Sequence, residues 1–119
     1  MCLATLDKEI TVEKGTGYKV YCTARRRKKA YPIYRGGPQK THTWIRDKRK
    51  LELQASSGEP YRTGYHVFLN LKDAKRLRRL RCPGESIRVV EFRDVVAQGI
   101  QWGAQTVVAR QIKIGNVVR

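Results

Sequence analysis

The stretch Tyr61-Arg62-Thr63-Gly64-Tyr65-His66-Val67-Phe68-Leu69-Asn70-Leu71-Lys72-Asp73-Ala74-Lys75-Arg76-Leu77-Arg78-Arg79-Leu80-Arg81-Cys82 decides how the rest of the chain is read. Tyr65, Val67 and Leu69 alternate with His66 and Phe68, so both faces of an extended segment carry large side chains. That is the pattern of a central strand covered on two sides. Asn70 then stands where an N-cap is needed, and Asp73 falls three residues on, where a carboxylate offsets the exposed amides of a first helical turn. At about 100° per residue, Ala74, Leu77 and Leu80 share one arc while Lys72, Lys75, Arg76 and Arg79 share the opposite one. The spacing predicts a helix over 71–82 that packs on a sheet with its cationic side outward. Cys82-Pro83-Gly84 ends it, because proline cannot continue the ladder and glycine follows in a turn.

Working outward, the C-terminal third reads as β structure. Ser86 to Phe92 and Val95 to Trp102 are two strands, the second interrupted by Gly99. Gly103-Ala104-Gln105 is a hairpin turn, and Thr106 to Ile114 is the longest strand. Val108, Ile112 and Ile114 are expected on one face of it, with Arg110 the misfit. Upstream, Glu9 to Val12 reads as a first strand and Lys14-Gly15-Thr16-Gly17 as a turn. Tyr18, Val20 and Cys22 then alternate with Lys19, Tyr21 and Thr23 as a half-buried strand. Ala30 to Tyr34, Thr41 to Arg46 and Leu51 to Leu53 are short extended pieces, and Ala55 to Pro60 is a loop. The expected fold is α+β, one domain over 1–119: a mainly antiparallel sheet or partly open barrel of about five to seven strands with one principal helix. Mobile basic loops are expected around 25–30 and 35–40.

Gly64-Tyr65-His66-Val67-Phe68, then Leu71-Lys72-Asp73-Ala74, a valine-rich strand and the closing Val107-Val108-Ala109-Arg110 resemble small uncharacterised domains found in phages and bacteria. The resemblance covers roughly the second half of the chain. It implies a fold and a source context, and it brings no activity with it.

Charge is the dominant global property: 26 Lys and Arg face 10 Asp and Glu, a formal net charge of +16. Such a density opposes compaction unless a polyanion neutralises it, which points first to DNA or RNA and second to an acidic protein surface. The excess is concentrated. From Arg25 to Lys50 eleven cations meet the single acid Asp47, and from Lys72 to Arg81 six meet Asp73. Cations interleaved with aromatics suit a single strand, since charges follow phosphates while rings stack on bases. The candidate nucleic-acid contacts are Arg25, Arg26, Arg27, Lys28, Lys29, Arg46, Lys48, Arg49, Lys50, Lys72, Lys75, Arg76 and Arg79, with Tyr34 and Trp44 as stacking rings. The same rings read equally well as core residues beneath a solvated charged loop.

No acid pair has the spacing of a general acid and base, and His42 and His66 are the two imidazoles. His66 reads as a core or rim residue, with a small enzyme or nucleotide-binding domain built on it as the third functional class. No catalytic set, metal set or cofactor is expected, because Cys2, Cys22, Cys82 and the histidines lie too far apart for a local ligand motif. Three cysteines without a CxxC pair suit a reduced, cytoplasmic setting, and no apolar run is long enough for a membrane span. The function expected is that of a non-catalytic basic accessory protein that binds nucleic acid through phosphate contacts with little sequence preference. The alternative is a phage-type inhibitor that grips an acidic surface of a host protein.

Overall fold

The computed structural model describes residues 3–22, 31–32, 39–77 and 85–118. In chain order the elements are β1 (Thr5–Leu6), β2 (Gly15–Cys22), β3 (Tyr31–Pro32), β4 (Trp44–Arg46), β5 (Glu52–Gln54), β6 (Pro60–Arg62), β7 (Tyr65–Phe68), α1 (Leu71–Leu77), β8 (Glu85–Gln101) and β9 (Ala104–Val117). Seven strands form one sheet in the order β1-β8-β2-β7-β9-β4 with β3 beside β2, while β5 and β6 pair separately. Every pairing is antiparallel. Because β8 also pairs with β9, and a single bridge of Tyr18 opposite Phe68 joins β2 to β7, the sheet curls back on itself without becoming a closed barrel.

The alternation in β7 does what its residues require. Tyr65, Val67 and Leu69 pack inside the curl with Tyr21, Val90, Phe92, Val107, Ala109, Ile112 and Ile114. Phe68 points the other way, onto Val20, Ile87, Ala104 and the helix residues Ala74 and Leu77. Asn70 stands at the N-cap position of α1, its carbonyl accepting the Ala74 amide at 3.2 Å. The helical expectation for 78–82 lies outside the described residues, as does the loop expected around 25–30 and, up to residue 38, the one expected around 35–40. A third apolar group, Leu3, Ala55, Tyr61, Ala97 and Val108, fills the space between the sheet, the β5–β6 hairpin and the N-terminal segment.

Several sequence expectations are corrected. The two strands expected over 86–92 and 95–102 are one strand of 17 residues, β8. Asp94, at φ 58, and a bulge between Val95 and Ala97 bend it instead of ending it, since an extra residue strengthens local twist without breaking the ladder. Val90, Phe92 and then Val95 face the same interior, and on β9 Ala109 and then Ile112 do so. Both arms therefore change inward parity near Asp94 and Arg110, which is why Val108 leaves the face of Ile112 and Ile114 and joins the third group. The hairpin turn is Trp102-Gly103, not 103–105. Gln101 pairs with Ala104, and the two turn residues take φ 51 and 78, the signs of a two-residue type I′ connection.

Glycines explain two more differences. The expected turn at 14–17 is already β2 from Gly15, because a side chain at Gly17 would lie 2.6 Å from the Phe68 carbonyl; glycine there lets β2 meet β7. The first strand is Thr5–Leu6 rather than Glu9–Val12, and β1 can lie on β8 only because a Cβ at Gly99 would sit 1.9 Å from the Thr5 carbonyl oxygen. Residues near Val12 are held by a side chain instead of a ladder: Gln98 Oε1 accepts the Thr11 amide at 2.9 Å and the Val12 amide at 3.3 Å. The expected loop at 55–60 is the tight end of the β5–β6 hairpin, tied down by the Ser56 and Ser57 amides donating to the Leu3 and Ala4 carbonyls, both at 3.0 Å.

Candidate nucleic-acid interface

Edge strand β4 begins the site. Ile45 turns inward onto the core, so Trp44 and Arg46 turn outward. The register sets Trp44 opposite Lys113 and Arg46 opposite Gln111 on β9, and these in turn lie opposite Glu91 and Arg93 on β8. One outer face of three strands thus carries an aromatic ring, three cations, one amide and one carboxylate. Arg93 lies over Trp44 with its guanidinium carbon 3.9 Å from the ring centroid, and its Nε donates to Gln111 Oε1 at 2.8 Å. Trp44 is 36% exposed. The stacked pair is fixed in orientation and open to solvent.

Acids temper this face. Asp94 pairs with Arg46 at 3.7 Å and Glu91 with Lys113 at 3.8 Å. All four side chains are well exposed, so these pairs contribute little to stability and exchange readily for a stronger anion. Beside the stack lies a shallow cavity of about 420 Å³ lined by Ile10, Glu13, Lys14, Arg93, Asp94 and Val95.

The next cations are positioned differently. Asp47 is buried and receives Arg49, with Nε at 3.0 Å and Nη2 at 2.7 Å, together with the Arg49 amide at 2.9 Å. Burial alone would raise the Asp47 carboxyl, but these hydrogen bonds and the charges of Arg49 and Arg110 hold it below its usual range. Arg110, the apparent misfit of β9, is 3% exposed and donates to the Thr63 carbonyl at 2.6 Å and the Arg49 carbonyl at 2.9 Å. It is a structural clasp that fixes residues 47–51 beside β9. Lys48 and Lys50 project outward from this clasped segment.

On α1, Lys72, Lys75 and Arg76 are exposed opposite the buried Ala74 and Leu77, as the periodicity requires. Arg76 reaches the hairpin turn and donates to the Trp102 carbonyl at 3.0 Å, with Asp73 3.7 Å away on its other side. The clusters rest on separate supports: Arg46 to Lys50 on β9, and the helix cations on β2, β7 and the turn. Arg25, Arg26, Arg27, Lys28, Lys29, Tyr34 and Arg79 lie outside the described residues. Sequence reading missed Arg93, Lys113 and Trp102. The signal for the first two was available in the alternation of β8 and β9 about Phe92 and Ile112, which sends 91, 93, 111 and 113 outward.

His66 occupies a different environment. The Leu3 amide donates to the Tyr61 hydroxyl at 2.9 Å, and that hydroxyl lies 3.1 Å from His66 Nε2. The Gly64 backbone raises the ring's affinity for a proton. Burial, followed by the charge of Lys19, nevertheless pushes His66 down to about 3. Lys19 donates to the His66 carbonyl at 3.1 Å and is itself pushed down to about 8 by burial and by Arg49. This is a neutral imidazole built into the join between β7 and the N-terminal segment.

Among the described residues no group of three or more His, Cys, Asp or Glu could hold a metal ion, and no helix is long and apolar enough to cross a membrane. Comparison with protein-family models, curated proteins and solved structures gives no match.

Proposed function

We propose that this protein is a non-catalytic nucleic-acid-binding accessory protein that grips the phosphate backbone with little sequence preference. The observation that carries the reading is the outer face of β4, β9 and β8, where Trp44 under Arg93 is flanked by Arg46 and Lys113. A flat ring fixed by a guanidinium offers a stacking surface, and the neighbouring cations follow phosphates at strand-like spacing. Lys48 and Lys50 extend this positive surface, and the net charge of +16 supplies the long-range attraction. Contacts of this kind position a strand without specifying its bases, which favours binding with little sequence preference.

Binding of short DNA and RNA strands should weaken steeply with salt. Replacing Arg46 and Arg93 together with glutamine should flatten the log–log slope by about 1.4, because each single-strand phosphate contact contributes about 0.7. A slope near zero, or no binding at about 50 mM salt, would remove the proposal.

A further inference from the structure

Trp102 occupies an unusual place. It is the first residue of the two-residue β8–β9 turn, at φ 51, where the left-handed backbone favours asparagine, aspartate or glycine and strains a bulky side chain. Its neighbour Gly103, at φ 78, meets that requirement without strain. The indole is nevertheless 40% exposed at the tip. Strain retained at an exposed aromatic is the kind of outlier that accompanies a function.

Its surroundings indicate which one. Arg76 donates to the Trp102 carbonyl at 3.0 Å, and its Nη2 lies 3.6 Å from where a Cβ at Gly103 would be, so the guanidinium is laid along the turn. Lys72 and Lys75 are exposed on the same side of α1. The helix cations and the hairpin tip therefore form one composite surface: an exposed ring at its edge and positive charge beside it. Asp73 is the acid of this helix, with a side chain only 25% exposed.

We infer that Trp102 is a second base-stacking site, which takes one nucleobase of a single strand whose phosphates run along Lys72, Lys75 and Arg76. This rests on the nucleic-acid reading above and adds to it that bases, not only phosphates, are held at the hairpin tip. A single strand is the fitting occupant because its bases are exposed for stacking, whereas a duplex offers this surface only its backbone.

The experiment uses the full chain and two labelled probes followed by fluorescence anisotropy: a twelve-residue thymidine oligonucleotide and an abasic oligomer of the same length and charge. The wild type should prefer the thymidine strand by about tenfold or more, given the worth of stacking even one base. Trp102→Ala should lose the part of that preference that Trp102 supplies, about fivefold or more, keeping the part due to Trp44 and holding the abasic oligomer as tightly as the wild type. Trp102→Asn, which suits the left-handed turn, should do the same and guards against a folding defect, checked by thermal unfolding. In Trp44→Phe, the emission of Trp102 should respond to the thymidine strand and not to the abasic one. An unchanged thymidine preference in both Trp102 variants, or an equal loss for the two oligomers, overturns the inference and leaves phosphate binding standing. Failure of the wild type to bind either oligomer overturns the nucleic-acid reading itself.

Discussion

His66 gives the sharpest test of the interior chemistry. The folded chain holds its imidazole neutral down to about pH 3, whereas the unfolded chain protonates it near 6.5. A base whose affinity for protons is depressed by folding contributes stability that is complete above the unfolded value and is lost as pH falls toward the folded one. The sensitive window is therefore pH 6.5 to 3. Between pH 7.5 and 5 the unfolded state gains a proton that the native state refuses, and stability should fall by about 2 kcal/mol, with a limiting slope of about 1.4 kcal/mol per pH unit. The interval from pH 7.5 to 5 stays above the ordinary carboxylate value of 3.8, below which the stability contributed by the depressed Asp47 begins to be lost.

The assay is urea unfolding at closely spaced pH values for the wild type and for His66→Gln, whose side chain can still accept from Tyr61. The absolute loss of the wild type includes repulsion among its many cations, so the informative quantity is the difference between the two profiles. That difference should change by about 2 kcal/mol across the interval, with the variant flatter. Parallel profiles from pH 7.5 to 5 would show that His66 titrates alike in both states, and the burial argument would fail.

Lys19 carries the opposite opportunity: holding it charged at about 8 costs stability at neutral pH, so Lys19→Met should stabilise the chain by about 1–2 kcal/mol after the loss of its bond to His66. The same change should shrink the acid loss assigned to His66, since Lys19 is the leading charge acting on that ring; a destabilised variant contradicts the first statement and an unchanged acid loss the second. Arg110→Met strips the buried Thr63 carbonyl and the partly buried Arg49 carbonyl of their donor and should cost about 2–4 kcal/mol in urea unfolding; a loss below about 0.5 kcal/mol would show that the clasp is dispensable. Gly99→Ala places a methyl group against the Thr5 carbonyl and should release β1, read as faster hydrogen exchange of the Ala4 and Asp7 amides, which now bond to the Ile100 and Gln98 carbonyls. Unchanged protection there would show that β1 does not depend on that close approach.

What the sequence makes legible is local. The strand over 65–69, its cap at Asn70 and the buried pair Ala74 and Leu77 follow from period and capping alone, because each depends on neighbours within a few residues. The class, a mainly antiparallel sheet with one helix, follows from counting such segments. The long hairpin does not. Its turn carries a tryptophan where turn chemistry expects asparagine, and its bend at Asp94 looks like a strand boundary. Gly17 and Gly99 read as turn and breaker residues in isolation; only the strands that cross them, β7 and β1, reveal that they are points of contact.

The site was legible in the same uneven way, and the reason is physical. Charge is a sum over residues and can be read without a fold, so the cationic character was plain. Which cations point outward together is a matter of register. Trp44 meets Arg93 across 49 positions of sequence through β9, and no periodicity within either strand specifies that meeting. Arg110 shows the converse: a cation among the apolar residues of β9 looked like an error of pattern, yet it is the donor that holds Arg49 and Thr63 in place. A buried arginine that satisfies carbonyls cannot also serve a phosphate. On the proposed reading, the surface open to a phosphate is therefore smaller than the charge count suggests, and Arg46, Arg93, Lys113 and the helix cations are the positions at which substitution should change affinity without loosening the fold.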